Sequence, residues 1–383
     1  MRLLLTTGDF RIHGVSYAGF PLLLDDGMND VQPASSFLLD ICLRSGSVAS
    51  PASWKKYGRD LYDFFSFVYA NGLDWKLPPA AGHLGAVELY RDWSLNECGL
   101  NRSTINHRLR TIRRFYDWCH GHGLIDRLPY RSVSIAGVRQ PAFLAHSDSA
   151  GGTVESAHFM LLELRRPLRL LSLDQCRLCI DALSNPTHRL IFWLMLATGL
   201  RNEEVRTLPE AYLFDPKYRR DLDGKAKVRI CLDPTEMRTK GSRKRFIDLP
   251  ISLMSTLWWW SVKVRPARAR RSAHVLPSCF LTTQGNAYSE SAIQRVFTTL
   301  SDRVGFNVTP HTLRHCYATY TLYGLRKRGY QGDPLLYVRD RLGHSSVNTT
   351  TIYLHLVEQL ESDLVLRHEA EIDALFGAAH GSE

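Results

Sequence analysis

Residues 311–315 read His-Thr-Leu-Arg-His, and two stretches follow them: Leu-Gly-His-Ser-Ser at 342–346 and Thr-Thr-Ile-Tyr at 350–353. On a helix, His311 and Arg314 would share one face because they lie three positions apart. Tyr353 ends the last stretch, and a tyrosine hydroxyl has an ordinary pKa near ~10. It becomes a nucleophile only where nearby cations and a base reduce the cost of its ionisation. The grouping therefore suggests a site built around an activated tyrosine.

Two upstream segments supply the cations that such a site needs. The first reads Ala-Thr-Gly-Leu-Arg-Asn-Glu-Glu at 197–204, and the second is a basic turn at 239–245 that leads into Ile-Asp-Leu-Pro at 247–250. Arg201 and Arg314 carry planar guanidinium groups suited to bidentate phosphate binding. Lys240 could protonate a leaving oxygen, although Lys244 in the same turn is an alternative. Such cations would also stabilise the extra negative charge of a pentavalent phosphorane.

In this order, the four segments resemble the motifs of the tyrosine recombinases, the phage-integrase-like family. The resemblance is strong over residues 172–357 and weaker over 51–122. The matched positions are Arg201 and Glu204 in the first segment, Lys240 in the second, His311, Arg314 and His315 in the third, and His344 and Tyr353 in the fourth. Each residue alone is more often structural, so the family is identified by the four segments together.

The resemblance implies a cut-and-rejoin mechanism on DNA. Tyr353 would attack the scissile phosphate and form a 3′-phosphotyrosyl link that frees a 5′-hydroxyl. Arg201 and Arg314 would hold the non-bridging oxygens. Lys240 would protonate the leaving 5′-oxygen.

The remaining matched residues would act around the phosphate. His311 would serve as the base or orient the tyrosine hydroxyl, and His344 would hydrogen-bond the phosphate. Glu204 would orient Arg201 or the adjoining helices, and His315 is expected either to be structural or to support the catalytic residues from behind. Because the covalent link conserves the energy of the phosphodiester bond, the resemblance implies no ATP, metal or other cofactor. The sequence contains no G-x-x-x-x-G-K-[ST] motif.

The composition agrees with a nucleic-acid partner. The 383 residues include 48 Lys and Arg against 38 Asp and Glu, a net charge of +10, and 44% are hydrophobic. These values indicate a folded protein of two or three domains and favour a polyanionic partner, either nucleic acid or an anionic membrane surface. The most continuous apolar stretch, 190–197, is too short for a membrane span, and the start of the chain lacks a signal-peptide core. We expect a cytoplasmic, nucleoid-associated protein of a prokaryote.

The helical periodicity and the resemblance predict a mainly α fold with a small antiparallel β-sheet. A helical core-binding domain of the SAM-like type and an α+β catalytic domain would form a clamp around DNA. The expected segments are an N-terminal extension at 1–45, the core-binding domain at 46–128, a linker at 129–171, the catalytic domain at 172–357 and a C-terminal tail at 358–383.

Three basic tracts are candidates for contact with the DNA backbone: a helix predicted at 103–119, the turn around Lys240, and residues 263–271. The candidate residues are Arg102, Arg108, Arg110, Arg113 and Arg114 on the helix, and Arg238, Arg243, Lys244 and Arg245 in the turn. A solvated surface explains the helix and the 263–271 tract equally well.

The most direct interpretation is a site-specific DNA recombinase, either an integrase or a transposon recombinase. Its partner would be double-stranded DNA with specific recombination sites, on which it would assemble as a tetramer through its C-terminal tail; the free protein could be a monomer. A type IB topoisomerase-like enzyme and a catalytically silent DNA-binding relative are the alternatives. The helical N-terminal domain favours a recombinase, and the complete set of reactive residues argues against a silent relative. The DNA target and the biological task stay open.

Overall fold

The computed structural model of the chain describes residues 1–48, 50–80, 83–130, 132–136, 153–163, 168–344, 347–358 and 360–361. The chain divides into two units, Met1–Arg165 and Arg166–Glu383. The division lies within the segment 129–171, for which the sequence predicts a linker. The predicted fold class, mainly α with short antiparallel strand pairs, is confirmed.

The first unit begins with four short strands and continues with helices. The strands are β1 (Arg2–Leu5), β2 (Arg11–Ile12), β3 (Val15–Ser16) and β4 (Pro21–Leu24); β1 pairs antiparallel with β4, and β2 with β3. The helices are α1 (Ala34–Leu39), α2 (Pro51–Ala70), α3 (Ala86–Asn96) and α4 (Arg102–Gly121). Two further strands, β5 (Ser132–Ala136) and β6 (Thr153–Ala157), pair antiparallel inside the segment predicted as a linker.

Residues 1–45, predicted as an extension, share one core with these helices. Phe20 and Phe37 are buried together with Phe64 of α2 and Phe115 of α4. The ring centroids of Phe37 and Phe115 lie 5.6 Å apart, edge to face. The apolar side chains of the early segment are thus part of the hydrophobic interior that stabilises the unit.

The second unit holds every segment that the sequence assigns to the site. Its helices are α5 (Leu173–Ala182), α6 (Pro186–Thr198), α7 (Asn202–Thr207), α8 (Ile251–Lys263), α9 (Arg265–Ala269), α10 (Glu290–Val304), α11 (Pro310–Lys327) and α12 (Pro334–Leu342). Strands β7 (Lys227–Leu232) and β8 (Arg245–Pro250) form a hairpin, so residues 233–244 are the turn that carries Lys240. Residues 352–358 are helical and carry Tyr353.

Gly199 brings the end of α6 close to α11 and α12. Its φ is +65°, a left-handed conformation that glycine adopts without strain. A Cβ here would lie 2.5 Å from Cδ1 of Tyr317 and 2.9 Å from Cδ2 of Leu342. A side chain would therefore force the helices apart. The close approach places Arg201, two residues on, next to the helix that carries Arg314.

Among the residues that the structure describes, no helix is long and apolar enough to cross a membrane. The same residues contain no cluster of three or more His, Cys, Asp or Glu side chains that could hold a metal ion. Cys176 and Cys179, spaced like half of a zinc motif, are unpaired and buried in the core of the second unit.

Candidate active site

Glu204 is a buried carboxylate that orients two arginines. Arg201 precedes the first turn of α7, and its backbone N–H donates to Oε2 of Glu204 at 2.7 Å while its Nη1 donates to Oε1 at 3.2 Å. Arg245 of β8 donates to the same carboxylate at 2.5 Å. Burial alone would raise the pKa of Glu204, but Arg245 and Arg201 lower it below its ordinary value. The carboxylate is therefore ionised and fixes both guanidinium groups.

Arg314 of α11 is buried without an acidic partner. Its side chain is 2% exposed, and Nη1 and Nη2 donate to the carbonyls of Gly199 and Leu342, both at 2.6 Å. Burial, together with the nearby Arg201 and Arg245, lowers the pKa of Arg314 to about 9. The guanidinium still carries its charge at neutral pH, and no carboxylate of the described chain forms an ion pair with it. Such an uncompensated cation favours an anionic ligand.

Three histidines lie near Tyr353 or its neighbours, and one of them, His315, contacts the tyrosine hydroxyl. The tyrosine is 1% exposed, and its Oη lies 3.2 Å from Nδ1 of His315. The ring of His311 stacks obliquely on that of His315, with centroids 4.3 Å apart. The ring of His344 runs nearly parallel to that of Tyr353 at 6.3 Å, and its Nδ1 lies 2.9 Å from Oγ1 of Thr350.

The buried histidines are neutral at physiological pH. Burial, together with the neighbouring His311 and Arg314, lowers the pKa of His315 to about 4. Burial also lowers the pKa of His344 to about 3, with Arg314 and Arg201 among the further causes. A neutral imidazole can accept a proton from the hydroxyl that it contacts. Burial raises the pKa of Tyr353 more than Arg314 and Arg201 lower it, so the tyrosine is protonated before it reacts.

The partner of the tyrosine differs from the sequence-based expectation. The sequence points to His311 as the group that activates or orients Tyr353, and to His315 as a structural residue. In the structure His315 contacts the hydroxyl, whereas His311 lies one turn earlier on α11 and is exposed. The spacing of one helical turn between the two histidines is visible in the sequence, but it does not show which of them faces Tyr353.

Lys240 and Lys244 occupy different environments in the hairpin turn. Lys244 pairs with Asp233 at 2.9 Å, and this contact raises the pKa of Lys244. Lys240 forms no ion pair with any described residue, and its charge contributes to the lowered pKa of His311. A cavity of about 330 Å³ lies beside Lys240, Arg201 and His344, which all line it. Lys244 lines the same cavity, so the two lysines differ in the ion pair with Asp233 that Lys244 alone forms among the described residues.

Most of the arginines predicted to bind DNA through α4 have partners inside the first unit. Arg108 pairs with Asp63, Arg110 with Glu163 at 3.1 Å and Arg113 with Asp117 at 3.6 Å; Arg114 donates to Oη of Tyr57 at 2.9 Å, and Arg102 to the carbonyl of Leu162 at 3.3 Å. The helix face lacks acids only in the sequence, because the fold brings carboxylates to it. A second cationic group has no clear signal in the sequence: Lys55, Lys56 and Arg59 are exposed on α2 beside Arg108.

The other basic tracts are divided between interior and surface. Arg245, a predicted DNA-binding residue, is 7% exposed and bonded to Glu204, so the structure places it inside the protein. Arg238 and Arg243 are exposed, and Arg243 lines the same cavity as Lys240. In the tract 263–271, Arg265 is buried against Glu210, and Arg268 donates to the carbonyl of Leu281 at 2.7 Å. These two arginines fix neighbouring loops.

Comparison of the chain with known proteins identifies a family that it resembles. The model of the phage integrase family matches residues 170–359. Tyrosine recombinase XerD of Corynebacterium glutamicum is 27% identical over 302 residues, which cover 68% of this chain and 90% of the relative. Tyrosine recombinase XerC of Chlamydia muridarum is 26% identical over 340 residues, which cover 84% and 93%.

Two solved structures share the fold. The XerH recombinase, in a post-cleavage complex with its palindromic difH substrate, matches with a TM-score of 0.54 at 16% identity, covering 89% of this chain and 90% of XerH. The Tn1549 transposon integrase, in complex with circular intermediate DNA, matches with a TM-score of 0.55 at 15% identity, covering 84% and 94%. The fold and the tyrosine-centred site define an enzyme that cuts and rejoins DNA strands. The chain belongs to the phage integrase family of tyrosine recombinases.

Proposed function

We propose that this recombinase binds double-stranded DNA at specific recombination sites and cleaves it through Tyr353. The observation that carries the proposal is the contact between the Tyr353 hydroxyl and the neutral imidazole of His315, with the buried Arg314 nearby. The DNA substrates held by XerH and by the Tn1549 integrase support DNA as the partner. Such an enzyme would act at the nucleoid of a prokaryotic cell.

The proposed steps balance within the protein and the DNA. The phenolic oxygen of Tyr353 attacks phosphorus, the bond from phosphorus to the 5′-oxygen breaks, and a 3′-phosphotyrosyl link forms. The phenolic proton passes to His315, and Lys240 gives a proton to the leaving 5′-oxygen. Attack by the 5′-hydroxyl of the second strand reverses these steps and rejoins the DNA.

The remaining residues hold the phosphate. Arg201 and Arg314 would bind the non-bridging oxygens, where their charge stabilises the transition state. His344 would donate a hydrogen bond to the same group, and Glu204 keeps Arg201 in place. Because Tyr353 is 1% exposed, the site has to open before the phosphate reaches the hydroxyl.

The test uses a suicide DNA substrate whose nicked strand lets the 5′-fragment diffuse away. We expect the wild-type protein to form a covalent 3′-phosphotyrosyl adduct that survives denaturing electrophoresis. Tyr353→Phe should form none, whereas the matched control Tyr323→Phe should retain it. An adduct in Tyr353→Phe would place the nucleophile elsewhere. A wild-type protein without adduct would favour a silent DNA-binding relative, and relaxation without strand exchange would favour a topoisomerase.

We further propose that the recombinase forms a tetramer on synapsed DNA through its C-terminal tail. Most of this tail, residues 362–383, lies outside the described residues. The support is its sequence, in which Leu360, Leu364, Ile372, Leu375 and Phe376 form an amphipathic pattern. Deleting 358–383 should leave binding to a half-site intact and impair synapsis. Unchanged recombination by the truncated protein would refute the role of the tail.

A further inference from the structure

Asp248 is the centre of a buried hydrogen-bonded network next to the site. It lies on β8 with its carboxylate nearly inaccessible to solvent. Nε of Arg229 donates to Oδ1 at 2.9 Å, and Oη of Tyr337 donates to Oδ2 at 2.6 Å. Nε of Arg341 also donates to Oδ2. Burial alone would raise the pKa of Asp248, but these donors lower it below its ordinary value, so the carboxylate is ionised.

Arg341, near the end of α12, is fixed to β8 at both its side chain and its main chain. Its guanidinium binds Asp248, and its main-chain carbonyl accepts a hydrogen bond from Nη1 of Arg245. The guanidinium also stacks on Tyr337, with Cζ 4.8 Å from the ring centroid. Arg245 and Asp248, three positions apart on β8, thus both form hydrogen bonds with Arg341 of α12.

The residues that follow Arg341 contact two of the arginines at the candidate site. The carbonyl of Leu342 accepts from Nη2 of Arg314 at 2.6 Å. Gly343 has a φ of +64°, and a Cβ there would lie 2.6 Å from Cδ of Arg245. His344 comes next and lines the cavity beside Lys240. Any shift of Arg341 would therefore move an anchor of Arg314 and the backbone of His344 together.

We propose that Asp248 is a positioning residue for strand cleavage: through Arg341 it fixes the end of α12, and thereby Arg314 and His344, on the scissile phosphate. The inference rests on the proposed function. Asp248 does not line the cavity and makes no contact with Tyr353 or the three histidines, so its effect passes through Arg341. The β7–β8 hairpin also carries Lys240 in its turn. Through Arg341, the hairpin and the end of α12 therefore support the site together.

The test compares Asp248→Asn with Arg229→Gln, which removes the half-exposed partner of the same carboxylate. Single-turnover cleavage of the suicide substrate is measured at saturating protein, together with the affinity for uncut half-site DNA. Asp248→Asn should cleave about 10- to 100-fold more slowly, since a misplacement near 1 Å costs up to about 10²-fold. Its DNA affinity should stay within about 3-fold of wild type, as should both quantities in Arg229→Gln.

A 5′-phosphorothiolate substrate separates phosphate positioning from proton donation. Its sulfur leaving group needs no general acid, so the rate loss in Asp248→Asn should persist on it. Rescue by this substrate would place the defect in the Lys240 turn and overturn the assignment to the end of α12. A wild-type cleavage rate in Asp248→Asn, or a loss confined to DNA affinity, would overturn it as well.

A second variant and the wild-type reference allow the proposal to be tested even where Asp248→Asn does not fold. If Asp248→Asn fails to fold, as judged by its thermal unfolding midpoint, Tyr337→Phe removes one donor and leaves the ion pair with Arg341. This variant should show a smaller loss of cleavage rate at unchanged affinity, and an unchanged rate would refute the proposal. The wild-type protein is the reference for both: its failure to form an adduct overturns the proposed function itself, whereas a defect-free Asp248 variant overturns only the positioning role.

Discussion

Two regions of the chain, helix α4 and the segment around Arg314, carry arginines that have few acids near them in the sequence. In the folded protein, the arginines of these two regions have different kinds of partner. On α4, Arg108 meets Asp63 from 45 residues away and Arg110 meets Glu163 from 53 residues away. In the second unit, Arg314 meets only main-chain carbonyls. Three of the five arginines in the first region pair with carboxylates, whereas Arg314 in the second forms no ion pair with a described residue. An anion site is therefore marked by cations that the fold leaves uncompensated, and not by the densest run of basic residues.

Burial separates the two regions energetically. Arg108 is half-buried and already paired with Asp63, so a DNA phosphate that replaced Asp63 would exchange one anion for another and gain little. Arg314 is shielded from water and lacks a counter-ion. A phosphate that reaches it supplies charge-assisted hydrogen bonds, which are roughly twice as strong as neutral ones. Equal substitutions in the two regions should consequently have unequal effects.

The largest difference is expected between Arg314→Lys and Arg108→Lys. Lysine keeps the charge but loses the planar fork, so Arg314→Lys should slow single-turnover cleavage by about 10³-fold, at the upper end for the loss of one transition-state donor. Arg108→Lys should change the rate by less than about 3-fold, because Arg108 is paired with Asp63 and lysine keeps the charge of that pair. Both rates are measured on the suicide substrate, and the thermal midpoints check that each variant is folded. Similar losses in the two variants would refute the contrast.

A second difference is expected inside the site, between His315 and His311. His315→Asn removes the group in contact with the Tyr353 hydroxyl and should slow adduct formation by about 10²-fold, the lower range for general acid–base catalysis. His311→Asn should cost less than about 10-fold, because His311 acts on the hydroxyl only through His315. Adduct formation on the suicide substrate gives both values. A larger loss in His311→Asn would restore the assignment made from the sequence.

The contrast between His315 and His311 depends on tertiary packing, which the sequence does not predict. The capping box at Ser172 and Gln175 could be predicted and is confirmed, with hydrogen bonds of 3.0 and 3.1 Å, because both partners lie within one helical turn. The family and the fold class could be predicted from ordered motifs. The pairing of Arg108 with Asp63 could not, since it depends on how α2 packs against α4. The burial of Arg245, and the role of His315, depend in the same way on tertiary packing.

A smaller effect is expected on the salt dependence of DNA affinity, where the basic residues of α2 and α4 in the first unit can be compared. Lys55, Lys56 and Arg59 on α2 form no ion pair with the described residues, unlike most arginines of α4. Changing all three to Gln should reduce the slope of log affinity against log salt by up to about 2.7, since each phosphate contact contributes about 0.9. The matched triple change of Arg108, Arg110 and Arg113 to Gln should reduce it by less than about 1, roughly one contact. Fluorescence anisotropy at several salt concentrations measures both slopes, and the reverse order would assign the DNA surface to α4.

The smallest expected effect concerns the stability of the second unit at acidic pH. This unit contains two histidines, His315 and His344, whose pKa values are lowered by burial. The pKa of His315 falls from 6.5 to about 4 on folding, and that of His344 from 6.5 to about 3. Above pH 6.5 both are neutral in the folded and unfolded states, so they leave stability unchanged. Below it, only the unfolded chain binds the protons, and each histidine costs up to about 1.4 kcal/mol per pH unit. Urea unfolding followed by hydrogen exchange should therefore show the second unit losing stability between pH 6.5 and about 4, with a shallower decline in His315→Asn. An identical decline in that variant would mean that folding does not lower the pKa of His315.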